Sequence, residues 1–276
     1  MGIKIALAGN PNCGKTTMFN ALTGANQYVG NWPGVTVEKK EGKLKGKRKN
    51  DDIIVTDLPG IYSLSPYTLE EVVSRDYILN DNPDVIIDLV DATNIERNLY
   101  LTTQLIETGV PVVVALNMTD LLEKRGIKID TKRLSMLLDC PIVETSALKQ
   151  TGLDTLIETA IKVANKKEVD LPREIFSKEM EAAVADVKGV LPDTISEDKK
   201  RWYAVKFLEN DSKVVESMNL SAAAKAAVDK DRKELETKHD DDMESIVTDE
   251  RYKFIQKIVE TTVCLLYTSP SPRDCS

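Results

Sequence analysis

The segment GNPNCGKT, residues 9–16, decides the fold that this sequence predicts. It matches G-x-x-x-x-G-K-[ST], a loop whose backbone N–H groups cradle phosphate oxygens. The apolar run IKIALA (3–8) precedes it and a helical pattern near 15–23 follows it, which is the strand–loop–helix context that the motif requires. The sequence thus predicts a phosphate-binding loop formed by Gly9, Asn10, Pro11, Asn12, Cys13, Gly14, Lys15, Thr16 and Thr17. Lys15 would contact the β- and γ-phosphates, and the Thr16 hydroxyl would bind Mg²⁺.

Short apolar runs alternate with helical patterns over the first 165 residues. The runs are IKIALA (3–8), IIVTD (53–57), VIIDLVDA (85–92), PVVVALN (111–117) and PIVETSA (141–147), and the helical patterns lie near 15–23, 68–80, 96–108, 130–139 and 152–165. Such an alternation predicts an α/β fold, a mostly parallel sheet with helices on both faces. The alternating segment VTVEKKEGKLKG (35–46) predicts an antiparallel edge hairpin with IIVTD.

The composition changes after residue 167. Residues 170–263 contain no strand-like run, and several segments there carry apolar residues at helical spacing. We therefore predict an α/β domain with the phosphate-binding loop over 1–167 and a small all-helical domain over 168–263. The last residues, 264–276, contain two prolines that exclude a helix, and we interpret them as a scar of truncation or cloning.

Charge and cysteine content exclude several classes of protein. The 276 residues carry a formal net charge of −8, which argues against a nucleic-acid-binding surface. The basic run at 39–49 is interpreted as a solvated hairpin tip. The sequence has four cysteines, none in a C-x-x-C pair, and a single histidine, so a structural zinc site is a poor prediction. No apolar run reaches the roughly 18 residues needed to span a bilayer, so we expect a soluble, cytosolic chain.

Three further motifs follow the predicted strands. DLPG supplies Asp57, Leu58, Pro59 and Gly60; NMTD supplies Asn117, Met118 and Asp120; SA supplies Ser146 and Ala147. Open α/β sheets bind ligands at the carboxyl ends of their strands, where all these motifs lie. Asp57 would hold Mg²⁺ through water, and the Gly60 N–H would contact the γ-phosphate.

Asp120 predicts which nucleotide base the site binds. Its carboxylate can accept hydrogen bonds from both N1–H and the exocyclic amino group of guanine, whereas adenine lacks that pair of donors. The Ala147 N–H could reach the base carbonyl. An ATPase that shares only the phosphate loop is therefore disfavoured.

In this order the four motifs resemble those of the GTPases that include Ras-like proteins and translation factors. The resemblance implies that Thr36 is the switch threonine, which contacts Mg²⁺ and the γ-phosphate in the GTP state, with Gly34 and Val35 beside the nucleotide. Ras-like proteins carry Gln where this chain has Ile61, so we expect slow turnover. Asn12 stands where potassium-activated GTPases carry an asparagine, which predicts K⁺ stimulation. Catalysis is thus assigned to Lys15, Thr36, Gly60 and Asn12.

A closer resemblance extends from residue 1 to about 263. GNPN-x-GKT, VGNWPGVTVE (29–38), DLPGIYSLSPYT (57–68) and ETSALKQTG (144–152) are similar to the FeoB family of bacterial iron(II) transporters. It implies a GTPase domain, a helical domain that stabilises GDP, and a polytopic membrane domain outside this chain. The implied location is the cytoplasmic face of the bacterial inner membrane. Guanine nucleotides and that membrane domain are the implied partners, nucleic acid is not, and a homo-oligomer is left open.

Two points remain open from the sequence. A GTPase associated with the ribosome or tRNA is the rival interpretation, and it predicts a basic RNA-binding domain after residue 167. Trp32 lies in the glycine-rich loop GNWPGVT (30–36), where we expect it to be mobile and partly exposed, and to dock on a partner surface in one nucleotide state.

Overall fold

β-Branched and apolar runs form most of the strands of the first domain. The computed structural model describes residues 2–24, 27–45, 52–166 and 171–265. Its strands are β1 (Lys4–Gly9), β2 (Gln27–Asn31), β3 (Glu38–Lys43), β4 (Ile54–Asp57), β5 (Val85–Asp91), β6 (Val112–Asn117), β7 (Ile127–Ile129), β8 (Ile142–Thr145) and β9 (Val263–Leu265). Seven of them form one sheet in the order β2-β3-β4-β1-β5-β6-β8, and β7 pairs with β9.

Helices cover both faces of the seven-stranded sheet and make up most of the described chain after β8. They are α1 (Lys15–Thr23), α2 (Leu69–Asp76), α3 (Ile95–Glu107), α4 (Thr119–Glu123), α5 (Thr131–Leu138), α6 (Leu153–Ala164), α7 (Lys178–Val190), α8 (Glu197–Leu208), α9 (Ser212–Ser217), α10 (Ala222–His239) and α11 (Met243–Thr262). A π-helical turn, Tyr77–Asp81, extends α2, and a 3-10 turn, Ala92–Asn94, precedes α3. The predicted fold class, an α/β domain followed by a helical domain, is confirmed.

The parallel strands β4, β1, β5, β6 and β8 correspond to the five apolar runs of the sequence. β1 shows why both faces are covered, because its side chains alternate between two cores. Ile5 and Leu7 belong to the core that includes α1 and α6, whereas Ala6 and Ala8 belong to the core that includes α2 and α3. All four side chains are fully buried.

The predicted edge hairpin is confirmed in part. β3 pairs antiparallel with β4, as the alternating segment 35–46 indicates. β3 is not the edge, however, because β2 pairs antiparallel with its other side and is the outermost strand. The sequence QYVGN of β2 contains a glycine and few apolar residues, so its pattern gives no strand signal.

β9 joins the end of the helical segment to the first domain. It pairs antiparallel with β7, so that Ile129 lies opposite Val263 and Lys128 opposite Cys264. Residues 264 and 265, interpreted from the sequence as part of a scar, therefore belong to a strand, because β7 offers them an open edge. Residues 266–276 and the predicted boundary at 167/168 lie outside the described residues, so the domain limits stay a prediction.

Candidate functional site

The four motif-bearing loops meet at one edge of the sheet. They follow β1, β4, β6 and β8, which are parallel, and the carboxyl ends of parallel strands lie at the same edge. The topology thus brings the phosphate loop, DLPG, NMTD and SA together, as the sequence predicts.

The phosphate loop ends on Gly14, the N-cap of α1. Gly14 has φ 96° and no side chain caps the helix, so the first N–H groups of α1 are available to an anion. A Cβ at Gly14 would lie 2.8 Å from Asn117 Nδ2, which leaves no room for any other residue. Asn12 is exposed and also has a positive φ, 66°. Burial raises the pKa of the Cys13 thiol to about 12, so this side chain stays neutral beneath the loop.

A buried ion pair lies beside the loop. Lys15 Nζ is 2.5 Å from Asp57 Oδ1, and the two side chains are only 11% and 7% exposed. Burial raises the pKa of Asp57, and the Lys15 ammonium opposes that rise. The Thr16 hydroxyl is on the exposed first turn of α1. A buried cation, a carboxylate and a hydroxyl next to free helix N–H groups fit a phosphate chain with its Mg²⁺.

The side-chain amide of Asn10 is buried without hydrogen-bond partners among the described residues. Asn10 is 4% exposed, and in that part of the chain neither its Oδ1 nor its Nδ2 has a partner. A buried amide without partners is costly. Its place inside the phosphate loop fits a site in which the bound ligand, or a water held with it, supplies them.

The DLPG segment packs directly on the phosphate loop. The Ile61 N–H donates to the Gly9 carbonyl at 3.2 Å, and a Cβ at Gly60 would lie 3.1 Å from Pro11 Cα. Ile61 is 2% exposed and lies in the core with Leu58. Its side chain is therefore both apolar and turned into the protein, so it can take no part in orienting water.

Asn117 ties three of the loops together. Its Nδ2 donates to the Cys13 carbonyl at 3.0 Å, and its Oδ1 accepts from the Ala147 N–H at 3.1 Å. Asn117 is 3% exposed. The sequence motif assigns the Ala147 N–H to the base carbonyl. In the structure this donor is directed at Asn117, because the residue after β8 lies beside the end of β6.

Asp120 has a partner that the sequence motifs do not indicate. Its Oδ2 accepts from Lys149 Nζ at 2.6 Å, and this hydrogen bond lowers the pKa of the carboxyl. The carboxylate is ionised at neutral pH, as recognition of two guanine donors requires. Lys149 is held in place by a backbone hydrogen bond to the Ser146 hydroxyl, at 3.2 Å. In the sequence, only the position of Lys149 three residues after Ser146 indicates that it lies near the base-binding motifs.

Thr36 belongs to a loop that holds none of the other predicted metal ligands. It is exposed in the loop 32–37, which the Trp32 N–H closes by donating to the Val37 carbonyl at 2.9 Å. Gly34, with φ 75°, and Val35 belong to the same loop. Within the described residues, no hydrogen bond joins Thr36 to Lys15, Thr16 or Asp57. Val35 and Val37 of this loop pack against the core that includes Leu58 and Ile61.

The expectation that Trp32 is partly exposed is wrong for this conformation. Trp32 is 7% exposed and packs edge-to-face on Tyr77, with ring centroids 5.3 Å apart. Lys39 Nζ covers the same indole at 5.0 Å from its centroid. The physical reason is tertiary, because Tyr77 follows α2, and that helix packs beside the sheet and supplies the apolar surface that the loop itself lacks.

Two buried ionic contacts join the motif-bearing domain to the helices after residue 171. Arg75 of α2 binds Asp211 through two hydrogen bonds of 2.8 and 3.1 Å, and its guanidinium lies 5.0 Å from the Trp202 ring centroid. Asp211 also caps α9 by accepting from the Val214 N–H. The helix that follows DLPG is therefore fastened to the helical domain.

The second contact centres on Glu107, at the end of α3. Glu107 pairs with Arg251 of α11 and lies 3.6 Å from the Nε of Arg201 of α8. Arg201 also forms two hydrogen bonds of 2.6 and 2.7 Å with Glu181. Arg251 is fully buried and Glu107 is 2% exposed. Charged helix residues ordinarily indicate a solvated face, so this network has no signal in the sequence.

Two negative findings concern metals and membranes. Across residues 2–24, 27–45, 52–166 and 171–265, no group of three or more His, Cys, Asp or Glu side chains is arranged to hold a metal ion. In the same ranges, every helix is too short or too polar to cross a membrane.

Comparison with known families gives two matches, one for each part of the chain. Residues 3–160 match the family model described as ferrous iron transport protein B. Residues 176–264 match the model of the FeoB cytosolic helical domain. The second match falls where the rival interpretation requires a basic RNA-binding domain.

Characterised relatives match over nearly the whole chain. The Fe(2+) transporter FeoB of Shigella flexneri is 37% identical over 273 residues, which cover 98% of this chain and 34% of that protein. A fusion of Fe(2+) transport protein A with FeoB from Porphyromonas gingivalis is 40% identical, over 94% of this chain and 32% of the fusion. The chain thus spans about a third of the length of the relatives it matches.

Solved structures from S. thermophilus are similar as well. A mutant NFeoB bound to mGDP has a TM-score of 0.91 at 47% identity, covering 95% of this chain and 100% of that one. NFeoB bound to mGMPPNP has a TM-score of 0.82 at 47% identity, covering 97% and 99%. A mutant bound to GDP and AlF4⁻ gives 0.81 at 48% identity, covering 93% and 99%. The TM-score is thus higher for the mGDP complex than for the other two.

Proposed function

The chain belongs to the FeoB family of ferrous iron transport proteins, and from this premise we propose that it is the nucleotide-operated switch of an iron(II) transporter. It carries the GTPase domain and the cytosolic helical domain of that family. Transport and attachment to the cytoplasmic face of the membrane are part of the proposal, since the chain spans about a third of its relatives. The observation that carries the proposal is the convergence of four loops on Asn117 and the Lys15–Asp57 pair.

The proposed roles at the phosphates follow from charge and position. The Lys15 ammonium neutralises the β- and γ-phosphates, and the N–H groups at the start of α1 bind their oxygens. Thr16, Asp57 and, in the GTP state, Thr36 would hold Mg²⁺, which supplies further neutralisation of phosphate charge when bound. Asp120 selects guanine over adenine.

Hydrolysis proceeds without a side chain after Gly60 that can orient water, since Ile61 is buried in the core. We propose that backbone groups of Gly60 and of the loop 32–37 position the attacking water. Backbone groups alone orient the attacking water weakly, so we expect slow intrinsic GTP turnover.

In this proposal α2 couples the nucleotide state of the first domain to the helical domain. This helix follows DLPG directly, and Arg75 fastens it to Asp211 and Trp202 of the helical domain. A movement of Gly60 toward or away from the γ-phosphate would therefore displace Arg75 relative to Asp211. Buried contacts of this kind favour two discrete arrangements over a continuous range. In the full-length transporter the helical domain would pass this change to the membrane part.

Potassium is expected to accelerate hydrolysis. Asn12 is exposed at the rim of the phosphate loop, where a bound K⁺ would place positive charge beside the phosphates, as an arginine finger does in other GTPases. We expect GTP turnover in KCl to exceed that in NaCl by at least about tenfold, and Asn12→Ala to abolish the difference. Phosphate release at equal ionic strength measures it.

Asn165→Ala, an exposed amide at the end of α6, is the matched control and should keep the full K⁺ effect. Equal rates in the two salts would remove the potassium site and leave the guanine switch standing. An absence of GTP turnover in either salt would contradict the proposed function itself.

A further inference from the structure

The edge strand β2 lacks the features that normally protect a sheet edge. Within residues 2–24, 27–45, 52–166 and 171–265 it is the outermost strand of the seven and is paired on one side only. Natural edge strands are guarded by charged residues, proline or bulges. QYVGN, residues 27–31, has none of these, and it exposes Tyr28 and Val29 by 66% and 55%. An uncharged edge with exposed apolar side chains is the kind that pairs with another strand.

The register of the β2–β3 pair identifies which backbone groups are free. Trp32 and Val37 lie opposite each other in that register, and the Trp32 N–H donates to the Val37 carbonyl. Hydrogen-bonded pairs alternate along antiparallel strands, so Gly30 and Tyr28 also direct their N–H and C=O groups at β3. The N–H and C=O groups of the three alternate residues, Gln27, Val29 and Asn31, point outward.

We propose that β2 pairs antiparallel with β2 of a second copy of this chain, about a two-fold axis through Val29. In this register Val29 faces Val29 of the second copy, and Gln27 faces Asn31. All three residues with outward backbone groups are then opposite one another, which gives roughly six hydrogen bonds across the axis. A shift by two residues in either direction keeps only two such pairs. The two sheets would become one continuous sheet.

The side chains agree with this register. A Cβ at Gly30 would lie 2.7 Å from the Tyr28 hydroxyl, so the tyrosine leans along its own strand over the glycine. In the proposed pair Tyr28 lies opposite Gly30 of the second copy. The two rings then meet over two glycines, where no side chain competes for the space, and aromatic cross-strand neighbours stabilise a sheet.

A second copy is favoured over an unrelated strand because β2 is uncharged and self-complementary. The two-fold axis places Val29 opposite its own image, where a charged side chain would face its own charge, and the remaining residues of β2 carry no charge. A five-residue strand pair buries much less than the roughly 1,200 Å² typical of stable interfaces. We therefore expect a weak dimer, with a Kd between about 10 µM and 1 mM.

Substitutions at the axis test both the pairing and its register. Val29→Lys and Val29→Glu each place like charges opposite each other, so each variant alone should be monomeric, whereas a 1:1 mixture should dimerise through a Lys–Glu pair. Val29→Thr keeps a neutral β-branched side chain and should dimerise like the wild type. Met136→Lys adds a charge at a residue that is 69% exposed elsewhere, on α5, and should also dimerise.

Sedimentation velocity of the purified chain with GDP, from about 10 µM to 1 mM, measures the wild type, the variants and the mixture. A wild type that dimerises, single charged variants that do not, and a mixture that does would support the pairing. A wild type that stays monomeric over this range, or a Val29→Lys variant that dimerises like the wild type, would overturn it. A mixture that stays monomeric would overturn the register at Val29.

Discussion

Asp120→Asn is expected to lower the affinity for GTP by roughly three orders of magnitude and to create binding of xanthosine triphosphate. The carboxylate accepts from two donors of guanine, and an asparagine amide presents a donor where one acceptor is needed. Xanthine carries a carbonyl in place of the exocyclic amino group, so the same amide fits it. Isothermal titration of both proteins with GTP and xanthosine triphosphate, in the presence of Mg²⁺, measures the exchange of specificity.

Asp154→Asn is the matched control for this change. Asp154 is in the first turn of α6, as Asp120 is in the first turn of α4, so both substitutions remove a charge from the same position of a helix. Asp154→Asn should bind GTP like the wild type. If Asp120→Asn kept its preference for GTP over xanthosine triphosphate, the assignment of the base contact to Asp120 would be wrong.

Glu107→Ala is expected to lower the free energy of unfolding by about 3–5 kcal/mol. The substitution leaves Arg251 without its carboxylate partner, and Arg251 is fully buried where α11 crosses α3. Arg201 keeps Glu181 but loses its second neighbouring carboxylate. Urea denaturation followed by circular dichroism measures the loss. Glu96→Ala, exposed on the same helix, should change stability by less than about 1 kcal/mol.

A double variant separates charge burial from packing. Glu107→Leu with Arg251→Met replaces the pair by apolar side chains of similar size, so no unpaired buried charge remains. We expect the double variant to be more stable than Glu107→Ala by at least about 2 kcal/mol. A Glu107→Ala protein within about 1 kcal/mol of the wild type would show that this contact does not hold the two domains together.

The sheet and the phosphate loop could be predicted because their signals are local. GNPNCGKT requires a strand before it and a helix after it, and β1 and α1 lie there. The runs that form β5 and β6 are mostly apolar because both faces of those strands are buried. Once the strands are parallel, their carboxyl ends must meet, which places the four motifs together.

The remaining elements depend on partners that are distant in the chain. β7 is three residues long and exists because β9, more than a hundred residues later, lies beside it. Trp32 is buried by Tyr77, and Arg75 by Asp211 and Trp202. The local sequence does not indicate these contacts, because a tryptophan in a glycine-rich loop and an arginine on a helix are equally compatible with exposure to solvent.

Asn117 illustrates the same limit within a recognised motif. The order of NMTD and SA along the chain indicates a base-binding site and assigns atoms to the nucleotide. Only the packed structure reveals that Asn117 uses both ends of its amide on Cys13 and Ala147. It therefore positions the loops that surround the nucleotide.

The proposed switch requires that the γ-phosphate moves the loop 32–37. ¹⁹F NMR of the chain labelled with 5-fluorotryptophan tests this movement most directly. The chain has two tryptophans, Trp32 in this loop and Trp202 beneath Arg75, and Trp32→Phe assigns the signals. In the proposed GTP state Thr36 contacts the metal that Thr16 holds, and a movement of the loop toward that metal would change the contact of Trp32 with Tyr77. We predict that the Trp32 resonance shifts between GDP and a non-hydrolysable GTP analogue, and that Trp202 shifts with it. A Trp32 resonance that stays in place while the analogue binds would contradict the switch.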